Sequence, residues 1–262
     1  MKKWTPIFLA ILSFACSNES KQQQLPVSPP IASIDIPSTA PPISICQPDM
    51  IEVTGSYCTN VQQKCLKWME DPIVNPRARC SLFDKSICIG EKLPMHFCID
   101  REEFAQNYEG LPLSDVSWTQ SKKICEADNK RLCKEDEWIF SCEGNDMLPY
   151  TTGYERPSNI CNMDISKDVV CGKDLCDRRK PIEEMKECVS PFGVHNMAGN
   201  VDEWIEVPIY NHSKVPGLTM RSGLKGGHWL PVRNRCRPIT KDHDEYYHQI
   251  SIGFRCCKDI IR

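Results

Sequence analysis

The sequence predicts a single irregular domain with short strands and few helices, held together by disulfide bonds. Three observations predict this class. The chain contains 17 cysteines, turn signals recur throughout residues 46–262, and no repeat, heptad or long apolar run appears there. The length of residues 46–262 suits one domain without an internal linker.

Residues 1–15 have the composition of an export signal. Lys2 and Lys3 supply the positive start, and a short, mostly apolar run follows them. The run is shorter than the roughly twenty residues that cross a bilayer. We therefore expect these residues to direct export and not to span the membrane.

Ala15 followed by Cys16 resembles a bacterial lipoprotein box. We expect Cys16 to be lipidated, with an ordinary cleaved signal peptide as the alternative. Two or more acyl chains would then hold the protein on a membrane of the bacterial cell envelope. Residues 17–45 are rich in Gln, Ser and Pro, a composition that predicts a disordered tether.

Cysteine number and charge restrict the function further. Removing Cys16 from the 17 cysteines leaves an even number, which in an exported chain predicts a disulfide framework. Zinc is the alternative, but no Cys-x-x-Cys pair occurs; for Cys171 and Cys176, the nearest such spacing, a bridge is favoured. The 32 basic and 35 acidic residues form no basic stripe, so nucleic acid is not an expected partner.

Two helices can be placed. Ser117 is a plausible N-cap for a helix from Trp118 to about Asn129, with Ser121, Ile124 and Cys125 near one face. A second helix is predicted over residues 135–142, with Trp138 and Ile139 facing inward and Gly144 ending it.

The remaining elements are short. Strands are predicted at residues 50–53, 97–100 and 253–256. Residues 145–190 are predicted to be loop-rich and held by Cys161, Cys171, Cys176 and Cys188.

Residues 192–204 form a glycine-punctuated segment, FGVHNMAGNVDEW. It offers the side-chain oxygens of Asn196 and Glu203 together with accessible backbone carbonyls. Hard cations such as calcium take six to eight oxygen ligands of these kinds.

This segment and several others, in this order, resemble the formylglycine-generating enzyme (sulfatase-modifying factor) family. The matching segments are residues 50–53, 97–104, 116–118, 130–133, 192–204, 224–229 and 253–256. The resemblance implies an α+β domain with little regular structure, related to the C-type lectin fold and stabilised by calcium. By position, it implies a first ion bound by Asn196, Gly199, Val201 and Glu203, and a second bound by Asn162 and Met163.

Two alternatives remain for these ligands. Asp174 or Asp177 could complete the second site, whose segment does not align. Asn196 and Glu203 could instead cap turns and form salt bridges at the surface.

The enzymes of the family oxidise a cysteine in a sulfatase to formylglycine, using oxygen and a copper(I) ion held by two thiolates, which suit copper(I). Counted from Gly226 and Gly227, Pro231 stands in place of the first thiolate and Cys236 in place of the second. The family's two structural bridges, transferred by position, pair Cys125 with Cys256 and Cys142 with Cys236. A bridged Cys236 leaves no thiol for copper, so copper is not expected.

Other residues offer weaker signals. Cys133 and Cys257 are each expected to form an additional structural disulfide and not to serve as a substitute pair of copper ligands. His228 replaces the serine of the family's Gly-Gly-Ser and could act as a base or a metal ligand, although packing is the favoured role. The cluster His243, Asp244, Glu245 and His248 is expected to be a solvated loop.

The favoured hypothesis is a non-catalytic, calcium-stabilised module that binds a protein or an envelope component or assists envelope assembly. The alternative is an oxidoreductase of the formylglycine-generating type with an altered active site. The binding hypothesis predicts an exposed apolar or aromatic patch. Trp68 is a candidate for it, although a lone aromatic residue is more often buried.

Overall fold

The computed structural model describes residues 45–106, 109–166, 169–212 and 215–260. The predicted export signal, Cys16 and all but the last residue of the predicted tether lie outside these ranges. Within them, no helix is long and apolar enough to cross a membrane.

Short strands dominate the described ranges, and there are two helices. In chain order the elements are β1 (Met50–Cys58), β2 (Val61–Gln62), β3 (Cys65–Trp68), β4 (Cys80–Phe83), β5 (Ile87–Cys88), β6 (Lys92–Asp100), α1 (Trp118–Ala127), β7 (Arg131–Leu132), α2 (Glu135–Glu143), β8 (Val170–Cys171), β9 (Asp174–Leu175), β10 (Asp202–Asn211), β11 (Thr219–Lys225), β12 (Ile252–Phe254) and β13 (Cys256–Asp259). The domain is of the α+β class, irregular and rich in disulfides, as predicted.

The larger sheet has the strand order β1-β6-β13-β7. β1 and β6 are antiparallel and pair from Met50 with Asp100 to Cys58 with Lys92. Both strands are longer than the predicted residues 50–53 and 97–100. The added halves contain Gly55 and Pro94, which disfavour strands, so pairing between distant segments extends them.

The smaller sheet has the order β11-β10-β12, with β10 antiparallel to β11 and parallel to β12. The predicted strand at residues 253–256 is interrupted at Arg255. Its first part, β12, belongs to the smaller sheet, and its continuation, β13, belongs to the larger one. The break directs the Arg255 side chain into the interior, where it is 1% exposed.

Helix α1 begins as predicted. The Ser117 hydroxyl accepts a hydrogen bond from the Gln120 backbone N–H, and the Gln120 side chain accepts one from the Ser117 N–H. This reciprocal capping box fixes the first turn. Trp118, Ser121 and Cys125 are buried on one face. The helix ends two residues earlier than predicted.

Helix α2 is embedded in the domain. Every residue from Glu137 to Glu143 is buried, and Gly144 ends the helix with a positive φ of 65°. Trp138 and Phe140 lie in the main hydrophobic cluster with residues of β1, β6 and β10. The helix is one residue longer than predicted.

Eight disulfide bonds cross-link the domain. They join Cys46–Cys98, Cys58–Cys88, Cys65–Cys80, Cys125–Cys256, Cys133–Cys257, Cys142–Cys236, Cys161–Cys188 and Cys171–Cys176. Both pairs implied by the resemblance are present. Cys133 and Cys257 bond to each other, and residues 145–190 are loop-rich and bridged, as predicted.

Candidate functional site

The segment that carries the copper-binding cysteines in the enzymes has a structural role here. Cys236 is bonded to Cys142 near the end of α2, and both residues are fully buried. All sixteen described cysteines are in disulfides. The described residues therefore offer no thiolate, and they do not fit a copper(I) site.

A cleft of about 890 Å³ lies against this segment. One wall is the β3–β4 hairpin, including Trp68 and Phe83. The other is formed by residues 228–243, with Pro231 and His228 among the lining residues. Pro231 stands at the position of the enzymes' first reactive cysteine, so the cleft lies beside that position.

Five arginines line the cleft: Arg77, Arg79, Arg156, Arg233 and Arg235. Only two carboxylates line it, Asp202 and Asp242. The chain as a whole carries a formal charge of −3. The cleft is thus a locally positive region on an acidic protein.

Some of these arginines are ion-paired. Both Asp202 carboxylate oxygens accept hydrogen bonds from Arg233 Nη2, at 2.8 and 2.7 Å. Asp164 binds Arg156 Nε at 2.7 Å and Arg79 Nη1 at 2.9 Å. These pairs hold the arginine side chains in place along the wall.

Other polar groups at the cleft lack partners within the described ranges. Arg233 Nη1 and both ring nitrogens of His228 are buried without a hydrogen bond. Burial lowers the pKa of His228 below its usual value, so the ring is neutral near pH 7. A buried polar group without a partner is destabilising, which points to a ligand or ordered water that completes these bonds.

Arg235 differs from its neighbours. Its guanidinium lies over the Phe83 ring, 5.1 Å from the centroid, and no carboxylate of the described residues forms a salt bridge with it. Burial lowers its pKa. An anion entering the cleft would offset this loss of hydration.

The residues of the first predicted calcium site lie elsewhere, in the core. Glu203 is in β10, and its carboxylate accepts hydrogen bonds from Arg255 Nε and Nη2, each at 2.7 Å, and from Trp138 Nε1 at 2.6 Å. Glu203 is the only charged residue of the predicted set. A calcium ion would have to compete with the guanidinium for it, so the residues as arranged do not fit this site.

Asn196, Gly199 and Val201 surround this ion pair in the preceding loop. Asn196 has a positive φ of 57°, and its amide nitrogen donates to the Ile182 carbonyl at 2.9 Å. The Val201 N–H donates to the buried Glu103 carboxylate at 3.2 Å. Burial, followed by repulsion from Glu203, raises the pKa of Glu103 to about 8.

Asn162 and Met163, of the second predicted calcium site, lie beside the first set. The Asn162 amide nitrogen donates to the Asn200 side chain at 2.9 Å and to the Arg178 carbonyl at 2.8 Å. Asp177 is paired with Arg179 at 2.7 Å, and Asp174 is exposed in β9. In the described ranges, no group of three or more His, Cys, Asp or Glu side chains is placed to hold a metal ion.

The cluster at residues 243–248 does not converge on one point. His243 stacks on Tyr247 with ring centroids 3.8 Å apart. Asp244 accepts the backbone N–H groups of the residues that follow it. His248 turns to Asp115. This arrangement organises a loop, as the sequence favoured.

The arginine-lined wall was not predicted from the sequence. Its signal is the alternating run Arg233, Arg235 and Arg237 around the bridged Cys236. Arg237 turns away from the cleft and pairs with buried Glu143 at 2.6 Å. The alternating spacing of arginines in the sequence therefore does not distinguish those that face the cleft from those that stabilise the core.

Comparison with known proteins agrees with this fold. The model of the FGE-sulfatase family, described as the sulfatase-modifying factor enzyme 1-like domain, matches residues 53–260. The formylglycine-generating enzyme of Mus musculus is 26% identical over 166 residues, which cover 56% of this chain and 44% of that protein. The serine/threonine-protein kinase pkn1 of Chlamydia caviae is 28% identical over 167 residues, which cover 58% of this chain and 25% of that protein. The chain thus spans less than half the length of these curated relatives.

Two solved structures share the fold. CarF has a TM-score of 0.54 at 15% identity, covering 81% of this chain and 98% of that one. PvdO from Pseudomonas aeruginosa has a TM-score of 0.50 at 14% identity, covering 82% of this chain and 96% of that one. With the family model matching most of its length, the chain belongs to the family of sulfatase-modifying factor enzyme 1-like domains.

Proposed function

We propose that this domain is a non-catalytic binding module of an exported, membrane-anchored envelope protein. The observation that carries the proposal is the Cys142–Cys236 bond, together with Pro231 at the other thiolate position. Formylglycine formation in this family needs a reactive pair of free thiols, and a disulfide cannot bind copper(I) as a thiolate does. The cleft that remains is suited to binding.

Export and anchoring belong to the same proposal. Sixteen bonded cysteines are consistent with an exported protein, since disulfides form and persist in oxidising compartments. The anchor would be the acyl chains on Cys16, followed by the Gln-, Ser- and Pro-rich segment at residues 17–45. Calcium takes no part in the binding that we propose.

Disulfide mapping of the exported protein tests the proposal. Thiols are blocked with an alkylating reagent before and after reduction, and peptides are identified by mass spectrometry. We expect Cys236 to be recovered joined to Cys142, and Cys16 to carry lipid. We also expect no conversion of a sulfatase-type cysteine peptide in the presence of oxygen and copper(I). Recovery of alkylated, free Cys236 with copper(I) uptake would restore the oxidoreductase alternative.

A further inference from the structure

A patch of exposed apolar side chains borders the cleft. It consists of Leu66, Trp68, Met69, Ile73 and Val74, which we call the apolar rim. Ile73 is 91% exposed and Val74 is 80% exposed. Exposed apolar side chains grouped in this way are typical of interaction surfaces.

The loop that carries the rim is ordered by its own polar contacts. Asp71 Oδ1 accepts the Ile73 N–H at 2.9 Å, and Asn75 Oδ1 accepts the Arg77 N–H at 2.9 Å. At the base of the loop, Glu70 pairs with Arg79. The Cys65–Cys80 bond closes the hairpin. Ile73 and Val74 are therefore held outward by a built loop.

The rim is continuous with the arginine-lined cleft, because Trp68 lines both. Inside the cleft, the Arg235 guanidinium lies over Phe83 and forms no salt bridge with a carboxylate of the described residues. An apolar surface therefore leads directly into a cleft lined by a guanidinium without a carboxylate partner among the described residues.

We infer that the cleft and the apolar rim together dock a segment of a partner protein that bears a carboxylate next to an apolar side chain. The inference rests on the proposed binding function and names its partner chemistry. The carboxylate would bind the Arg235 guanidinium, since guanidinium and carboxylate form charge-assisted hydrogen bonds. The apolar side chain would lie on Trp68, Ile73 and Val74.

Size and charge favour a protein segment over the other anions. A cleft of about 890 Å³ is much larger than a single inorganic anion and falls in the range that accommodates several residues or a drug-sized ligand. An anionic membrane is disfavoured because Glu70 and Asp71 flank the tip of the rim, whereas membrane-binding loops carry clustered basic residues. The unpaired arginine is inside the cleft and not at the tip.

The test uses the exported, disulfide-intact protein and a fluorescein-labelled nonapeptide. The peptide has glutamate, leucine and glutamate at its centre, glycine and serine elsewhere, and an amidated C-terminus. Binding is measured by fluorescence anisotropy. We expect saturable binding that weakens about tenfold when both glutamates are glutamine, since the loss of one charge-assisted hydrogen bond corresponds to roughly that factor.

Protein variants locate the site. R235Q is expected to weaken binding about tenfold, and the double variant I73S/V74S is expected to weaken it severalfold. R221Q is the matched control, because Arg221 is exposed on β11 and does not line the cleft. It should bind as the wild type does. Circular dichroism of each variant verifies the fold.

Three outcomes would overturn the inference. The first is no saturable binding of the acidic peptide up to about 1 mM protein, the limit of a weak interaction. The second is equal binding of the glutamine peptide. The third is co-sedimentation with vesicles of phosphatidylcholine and phosphatidylglycerol that I73S/V74S abolishes, without peptide binding. None of these results affects the proposed non-catalytic function, which the disulfide mapping tests separately.

Discussion

The two bridges that end at the adjacent residues Cys256 and Cys257 should be partly redundant, so that each stabilises the domain less while the other is intact. Cys125–Cys256 and Cys133–Cys257 have sequence separations of 131 and 124. Taken alone, a loop of that size would contribute about 5 kcal/mol through the entropy of the unfolded chain. Each bridge, however, already closes most of the loop that the other would close.

With one bridge intact, the other closes a ring of only about eleven residues, formed by residues 125–133 and the 256–257 junction. The same entropy relation then gives about 3 kcal/mol for removing either bridge. Once one is gone, the remaining link is Cys142–Cys236. The second removal then opens a ring of about 39 residues if Cys125–Cys256 is removed last, or about 32 if Cys133–Cys257 is, and either ring is worth about 4 kcal/mol. The double removal should therefore exceed the sum of the single removals by about 1 kcal/mol.

The assay is a double-mutant cycle. C125A/C256A, C133A/C257A and the quadruple variant are unfolded in guanidinium chloride without reductant, and the free energies of unfolding are compared. Losses of buried side-chain contacts cancel to first order in the cycle, which leaves the coupling. Additive effects within about 0.4 kcal/mol would refute the ring argument, as would a loss near 5 kcal/mol for either bridge alone.

Three further predictions concern the core. Chelation with EDTA should leave the melting temperature unchanged, because Arg255 and Trp138 hold the Glu203 carboxylate. A lower Tm in EDTA that returns to its original value when calcium chloride is added would support the calcium site implied by the family resemblance. Burial lowers the pKa of Lys225 to about 7, so above that pH the folded protein binds fewer protons than the unfolded chain. Relative to K225M, the wild type should therefore gain about 3 kcal/mol of unfolding free energy between about pH 6.5 and 9.5. A difference between the two proteins that stays constant with pH would contradict the lowered pKa. G199A should lower the free energy of unfolding by at least about 2 kcal/mol, because an added Cβ would lie 2.3 Å from the Asn162 carbonyl oxygen at a positive φ. G172A is the control, since Gly172 also has a positive φ but nothing lies within 4 Å of an added Cβ, and it should lower that free energy by only about 1 kcal/mol. Equal losses of the two variants in urea unfolding would contradict the predicted clash at Gly199.

The sequence predicted elements whose signals are local. Ser117 and Gln120 form the capping box that starts α1, and Gly144 ends α2. The strand lengths were underestimated because the pairing of β1 with β6 joins residues up to fifty apart, a contact that no local pattern encodes. No strand was predicted at β10 (Asp202–Asn211), since the motif at residues 192–204, in which β10 begins, has the glycines and asparagines of a loop.

The site could be predicted only in part. Counting from Gly226 and Gly227 placed Pro231 and Cys236 at the two thiolate positions. The family resemblance then supplied Cys142 as a structural partner and so predicted that Cys236 would not be a free thiol. The sequence could not show that Glu203 faces Arg255, since Glu203 lies in β10 and Arg255 lies at the break between β12 and β13. Nor could it separate Arg235, which faces the cleft, from Arg237, which pairs with Glu143. These distinctions depend on side-chain direction in irregular segments.

The pattern of bridges also determines when each thiol can find its partner during synthesis. Three bonds are nested within residues 46–98, with Cys65–Cys80 inside Cys58–Cys88 inside Cys46–Cys98, so they can close while the rest of the chain is still emerging.

Cys125, Cys133 and Cys142 must instead wait for partners between residues 236 and 257. During that interval, three neighbouring thiols are free to bond wrongly with one another. Any such non-native bond must be reshuffled before the native pairs can form, and a chain truncated before Cys256 would leave Cys125 and Cys133 without their partners.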